Sequence, residues 1–248
     1  MTTDDEWRKW GEVDPYFGVL STQEFREGGN RDEFFAAGER HLSGLIETFA
    51  SLGLPLQPNG RAVDFGCGVG RVLGPMSRYF GESLGVDVAP GMLAEAVRNA
   101  PDAQLCQFDG KDLGGALEAA TFTFVHSVLV LQHITPARGL GFLDELLSRM
   151  VPGGVALIQA PFAPKHAWRH YASQALKANA TICKTVRFLT RRPRPFDPVM
   201  QMHLYGPTRL IPLFRRHGLE VRTVKMSPDG NLWQGAWYLH KSPERLPS

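Results

Sequence analysis

The feature that most constrains this chain is a strand-like run that ends in a glycine turn, Val63-Asp64-Phe65-Gly66-Cys67-Gly68-Val69-Gly70-Arg71. Val63 and Phe65 supply the alternating apolar face. The three glycines after them let the backbone turn sharply and let another group approach it closely. Downstream, short apolar runs alternate with helical periodicity. Strands are predicted over 83–87, 104–108, 122–128 and 155–159, the last entered through the turn Pro152-Gly153-Gly154. Helices are predicted over 71–80, where Pro75 must bend the helix or delay its start, and over 90–99, 113–120 and 138–150. A further helix over 208–217 is closed by Gly218. Two last strands, 219–225 and 232–240, flank the hairpin signal Asp229-Gly230.

Strands alternating with helices imply an α/β fold, a doubly wound and mostly parallel sheet covered on both faces. Ligands on such sheets lie beyond the carboxyl ends of the strands, at the switch point beside the first strand. The expected organisation is an N-terminal helical accessory region over 1–59 and a Rossmann-like domain over 60–248. That domain carries an insertion at about 162–206, too long to be a plain connection.

The longest nearly apolar run, Thr121 to Leu131, has eleven residues and contains His126, whereas about twenty are needed to span a bilayer as a helix. The chain opens on acids where a signal peptide is basic and then apolar. Cys67, Cys106 and Cys183 are too scattered for a disulfide framework or a structural zinc site. A soluble, cytoplasmic setting is the expectation.

The formal net charge of +2 conceals an asymmetry. Residues 1–60 hold eleven acids against five Lys/Arg, while residues 146–196 hold nine Lys/Arg and no acid. Within the insertion, Trp168, Tyr171, Ala172, Ala175, Leu176, Ile182, Val186 and Leu189 fall at roughly helical spacing among lysines and arginines. This reads as a basic amphipathic helix or helix pair. Three roles stand open for it: a lid whose charges pair with the acidic N-terminal region, a cap for an anionic substrate, or peripheral contact with a membrane surface. No nucleic-acid recognition module is present, so no nucleic-acid partner is expected. The oligomeric state stays open.

Acids end successive predicted strands. Asp87 closes the second, where a carboxylate can accept hydrogen bonds from both hydroxyls of a ribose. Asp109 closes the third, within reach of an exocyclic amine. Asp64 lies inside the first strand, where burial demands a polar or cationic partner. A nicotinamide site prefers G-x-G-x-x-G, and its last position here is Arg71; a phosphate-binding lysine loop is absent.

With these segments, Gly85-Val86-Asp87-Val88-Ala89-Pro90-Gly91-Met92-Leu93, Phe108-Asp109, Val128-Leu129-Val130-Leu131-Gln132-His133-Ile134 and Val151-Pro152-Gly153-Gly154 occur in order over about 63–160. In this combination the chain resembles the class I (Rossmann-like) S-adenosylmethionine-dependent methyltransferases. The resemblance implies a seven-stranded sheet with an antiparallel last strand and S-adenosyl-L-methionine as cofactor, released as S-adenosylhomocysteine. It implies that Gly66, Gly68 and Gly70 line the methionine part, that Asp64 lies on the ammonium side and that Asp87 holds the ribose. Met92 packs on the adenine and Asp109 binds its amino group; Cys67, Val88, Phe108 and Ser127 complete the implied set. Residues 10–18 and 34–39 are similar to segments that close over the cofactor in some of these enzymes, the alternative being that Trp7, Trp10 and Phe17 only cover the sheet edge.

The Asn/Asp-Pro-Pro-Tyr/Phe motif of nucleobase and glutamine methyltransferases is replaced by Val125-His126-Ser127-Val128, and no acids cluster between Ser127 and Arg138, so no metal is expected. Among His126, His133 and His203, the bases expected for acceptor deprotonation are His133 and His203, with a helix-start or packing role as the alternative. The expected activity is methyl transfer to an oxygen of a small molecule or glycan. The alternatives are N-methylation of a small molecule, an NAD-dependent oxidoreductase and a cofactor-binding protein without turnover.

Overall fold

A computed structural model of the chain describes residues 3–117 and 121–243. Helices α1 (Thr3–Val13), α2 (Pro15–Val19) and α3 (Arg31–Ser51) come first. Then β1 (Arg61–Phe65), α4 (Leu73–Tyr79), β2 (Glu82–Asp87), α5 (Pro90–Asn99) and β3 (Gln104–Gln107) alternate. They are followed by β4 (Phe122–Ser127), α6 (Pro136–Ser148), β5 (Met150–Pro164), α7 (Ala167–Lys177), α8 (Ala180–Leu189), α9 (Pro207–Arg216), β6 (Leu219–Asp229) and β7 (Leu232–Lys241).

The strands form one seven-stranded sheet in the order β3-β2-β1-β4-β5-β7-β6, with β7 antiparallel to both neighbours and the remaining pairs parallel. The order reverses between β1 and β4, so the switch point lies where the glycine turn leaves β1. One face of the sheet, with Val63, Phe65, Val125 and Ile158, packs on Phe142, Leu146 and Phe214 of α6 and α9. The other, with Ala62, Phe124, Leu157 and Tyr238, packs on Leu42, Leu45 and Phe49 of α3. The period-2 alternation of β1 thus sends Val63 and Phe65 one way and Ala62 and Asp64 the other.

Three local expectations are refined. The helix expected over 71–80 starts at Leu73, putting Pro75 in its first turn, where a missing N–H costs no helical bond. The helix expected over 113–120 is a hydrogen-bonded turn as far as Leu117, because Gly114 and Gly115 resist helical ordering; residues 118–120 lie outside the described residues. The expected turn at Pro152-Gly153-Gly154 is a bulge inside β5, with Gly153 at φ +78°, so that Phe122 pairs with Met150 and Phe124 with Val155. The insertion is a helix pair, α7 and α8.

Candidate functional site

The carboxyl ends of β1, β2 and β4 open into a cavity of about 900 Å3, counting the space open to solvent. Asp64, Gly66, Cys67, Gly68, Asp87, Val88, Met92 and Phe108 line it, with Arg71, His126, Val128, Leu129, Val130, His133 and Ile134. Asp4, Trp7, Gly18 and Val19 of the N-terminal helices close it. A cavity of this size, apolar in most of its wall with a few convergent polar groups, is what a nucleoside-sized ligand requires.

The glycine turn shapes one wall. Gly66 sits at φ +77°, and a Cβ there would lie 2.2 Å from a methyl of Val130, so only glycine leaves the cradle open. Asp87, at the end of β2, holds this turn in place. One carboxylate oxygen accepts from the Gly68 N–H and the other from the Ala89 N–H, both at 2.9 Å. Each oxygen keeps a free lone pair for a vicinal diol. Burial pushes the Asp87 pKa up to about 6, although the backbone N–H groups oppose the shift. The Cys67 thiol, buried in the same wall, is pushed up by desolvation and by the Asp87 and Asp64 charges.

On the opposite side, Asp64 is 4% exposed and belongs to a chain of three side chains. Asp64 Oδ1 lies 2.7 Å from His126 Nδ1, and His126 Nε2 lies 2.9 Å from His41 Nε2. A carboxylate accepts, so His126 donates from Nδ1; its Nε2 then accepts, and His41 donates. The in-register pairing of Asp64 with His126 across β1 and β4 brings the first two together, and α3 supplies the third. Burial first, then His126 and Arg71, push the His41 pKa down to about 3. Arg71 lines the cavity near Asp64, and its buried Nε has no partner among the described residues. Burial lowers its pKa, while Asp64 acts to raise it.

His133 sits at the far end of the cavity, 6% exposed, with the Trp7 ring 4.6 Å away. Its Nδ1 donates to the Gln201 carbonyl at 2.9 Å, which leaves Nε2 as an acceptor for the Gln132 amide at 3.1 Å. Gln132 is held in turn by Gln234 Nε2 at 2.6 Å. Burial pushes the His133 pKa down to about 4, so the imidazole is neutral at pH 7. Nearby, Leu129 adopts φ +65°, a conformation that costs a leucine roughly 1–2 kcal/mol, and its N–H is tied to Gln159 Oε1 at 2.9 Å.

The remaining expected site residues lie off the cavity wall. Gly70, at φ +86°, turns toward Ala96 and Ala100 of α5. The Asp109 side chain is 59% exposed and accepts from the Lys111 N–H at 2.7 Å. Ser127 is fully buried, its hydroxyl without a partner among the described residues. His203 is on the strap between α8 and α9; its backbone N–H donates to the Gln132 carbonyl and its Nε2 is buried without a partner among the described residues. Among the described residues, no three His, Cys, Asp or Glu side chains gather as a metal site would need.

Sequence reasoning missed His41, Arg71 as a wall residue, and Asp4 and Val19. A buried histidine paired with a carboxylate one strand away has no signature in one dimension. The only hint was His126 in a run that is otherwise almost wholly apolar.

Two neutral histidines, His133 buried and His41 half-buried, make stability depend on pH. A histidine whose folded pKa lies below its unfolded value of about 6.5 contributes stability above that value and loses it as pH falls. For His133 the loss runs from about pH 6.5 toward 4, and for His41 toward 3. Asp87 acts in the opposite sense between about 6 and 4. Urea midpoints are therefore expected to fall between pH 7 and 5, with a slope of at most about 1.4 kcal/mol per pH unit for each histidine. His41→Gln should flatten the curve; an unchanged slope would remove His41 from this account.

Comparison with known proteins agrees with this geometry. Residues 63–158 match the family model of a methyltransferase domain. Magnesium protoporphyrin IX methyltransferase from Synechocystis, crystallised with S-adenosylhomocysteine, superposes with a TM-score of 0.60 at 13% identity, covering 97% of this chain and 100% of that one. A SAM-dependent methyltransferase from Leishmania major gives 0.60 at 14% identity, covering 96% and 82%. The fold is the Rossmann-like α/β fold of these solved methyltransferases. Over residues 63–158 the chain is similar to the methyltransferase-domain family, and its fold is the one seen in solved S-adenosylmethionine-dependent methyltransferases.

Two curated relatives are similar in sequence. Trans-aconitate 2-methyltransferase of Methylobacterium nodulans is 32% identical over 110 residues, 44% of this chain and 41% of that protein. Ubiquinone biosynthesis O-methyltransferase of Nitrobacter winogradskyi is 27% identical over 177 residues, 70% of this chain and 62% of that protein. This chain thus spans less than two thirds of the length of either.

Proposed function

We propose that this protein transfers a methyl group from S-adenosylmethionine to an oxygen of a small, largely apolar acceptor. The residues present suit the cofactor. Asp87 offers two oxygens with spare lone pairs to the ribose hydroxyls. Asp64 offers an anion to the ammonium group and the unpartnered Arg71 Nε a donor to the carboxylate, matching both ends of an amino acid. Val88, Met92 and Phe108 offer apolar surface to a purine. When bound, the cofactor supplies a methyl group on positively charged sulfur, already activated for displacement.

The observation that carries the choice of acceptor is His133, a neutral imidazole on a wall otherwise formed there by Trp7, Val128, Leu129, Val130 and Ile134. A hydroxyl arriving at His133 Nε2 takes the place of the Gln132 amide and gives that nitrogen its proton as the new carbon–oxygen bond forms. His133 would then carry the positive charge as an imidazolium, offsetting the charge the cofactor would lose on giving up its methyl group. The Gln201 carbonyl, held at Nδ1, orients the ring, and the N-terminal helices exclude water. The two curated relatives, one named as an O-methyltransferase, support the same chemistry.

The test is transfer of labelled methyl from the cofactor to a panel of phenols, alcohols, carboxylic acids and amines. Label in an oxygen-methyl product is expected. Label confined to amines would overturn the reading. His133→Ala is expected to lower kcat by roughly 10²-fold while leaving S-adenosylhomocysteine affinity within about twofold. Full turnover in that variant would remove His133 as the base.

A further inference from the structure

Helices α7 and α8 are turned inside out. On α7 the apolar stripe Trp168, Tyr171, Ala172 and Ala175, at spacing i, i+3, i+4, i+7, is exposed along its length. Trp168 is 75% exposed and Tyr171 62%. The face turned inward carries His170, which is buried, and Gln174, which bonds both the carbonyl and the N–H of Met202. On α8, Ile182, Phe188 and Leu189 face outward at 54%, 59% and 71%, while Cys183 is buried. Phe196, 67% exposed, lies beside Phe188 with ring centroids 5.8 Å apart. Half of the twelve exposed large hydrophobic residues among the described residues therefore fall within 168–196. An amphipathic helix in a free-standing globular domain presents the opposite face to water.

The charges within residues 146–196 have one sign. Three of the insertion's cations are used within the molecule: Lys184 approaches Glu6 at 3.8 Å, Arg194 pairs with Glu27 at 2.6 Å, and Arg187 donates to the Asp197 carbonyl at 3.1 Å. Lys165, Arg169, Arg191 and Arg192 are exposed and have no carboxylate partner among the described residues. No acid lies between residues 146 and 196 to cancel them. Tryptophan and phenylalanine flanked by unpaired lysine and arginine is the composition that settles at the headgroup boundary of an anionic bilayer. Among the described residues no helix is long and apolar enough to cross a membrane, so contact is with one leaflet.

We infer that α7 and α8 form a docking face for the surface of an anionic lipid bilayer. The face lies one strap from the cavity: Gln174 of α7 holds Met202, and the adjacent Gln201 carbonyl holds His133. A bilayer bound there lies against the same element that orients the cavity histidine. This inference stands on the exposed stripe and its charges, independently of which atom is methylated.

The experiment is co-sedimentation of the full chain with vesicles of phosphatidylcholine alone or with about one third phosphatidylglycerol. Binding is expected to the anionic vesicles only, with release at high salt as screening shortens the reach of the charges. Trp168→Ser combined with Leu189→Ser, and separately Arg191→Glu combined with Arg192→Glu, should each weaken binding about tenfold or more. Both double variants should keep the wild-type unfolding midpoint and S-adenosylhomocysteine affinity. No sedimentation with anionic vesicles, or variants that sediment like wild type, would overturn the inference. A lipid-free dimer lost on Trp168→Ser would overturn it too, because the face would then belong to a second copy of the chain.

Discussion

Asp87→Ala is expected to weaken S-adenosylmethionine binding by at least about 100-fold, measured by calorimetry. Two effects add. The ribose hydroxyls lose a charged acceptor, and hydrogen bonds to charged groups contribute about 1.5–3 kcal/mol each. The Gly68 and Ala89 N–H groups also lose the acceptor that holds the glycine turn in shape. Two such bonds amount to roughly 3–6 kcal/mol, and each 1.4 kcal/mol is tenfold in affinity. Asp87→Asn keeps one oxygen and should fall between alanine and wild type. Because burial raises the carboxyl pKa to about 6, the charged acceptor is present above that pH and lost below it. Wild-type affinity should therefore decline several-fold from pH 7.5 to 5.5, and the Asn variant should show a flatter profile. Affinity unaffected by the alanine change would dismantle the assignment of this cavity.

Gly38→Ala is expected to be the most damaging single-methyl change on α3. A Cβ at Gly38 would lie 2.1 Å from the backbone oxygen of Arg71, and backbone has no rotamer through which to yield. Either α3 or the glycine turn must move. Overpacking of this kind costs about 1–3 kcal/mol, and each kcal/mol lowers the melting temperature of a domain this size by roughly 2–4 °C. The displacement also carries His41, one turn further along α3, away from His126, and shifts Arg71 in the cavity wall. Cofactor affinity should fall together with stability. Gly44→Ala is the internal control. Its Cβ meets nothing within 4 Å, so the same substitution in the same helix should be neutral or raise stability by about 0.5–1 kcal/mol. Equal effects at the two positions would show that α3 is not clamped against the turn.

Much of the glycine-turn wall of the cavity was legible because its signals are local. A strand that ends in glycines, and an acid that ends the next strand, follow from backbone rules acting over a few residues. Asp87, Gly66, Gly68 and Met92 accordingly line the cavity as read. Asp109 was placed by the same logic, yet its side chain turns out to the Lys111 N–H, because a residue past a strand end is not bound by the strand's alternation. Over its described part, 113–117, the expected helix is a turn for a local reason as well, two adjacent glycines outweighing the apolar spacing.

The sequence by itself determined the order of strands and helices, the switch point beside β1, and the polar groups of β1 and β2 that face it, since periodicity and turn chemistry act between near neighbours. Only the tertiary structure decided that Asp64 meets His126 and then His41, that Gln201 fixes the proton of His133, and that α7 shows its apolar face to the outside. Those outcomes depend on which distant elements arrive at the same place. The energy that brings them there is burial of the whole core, which no single segment encodes.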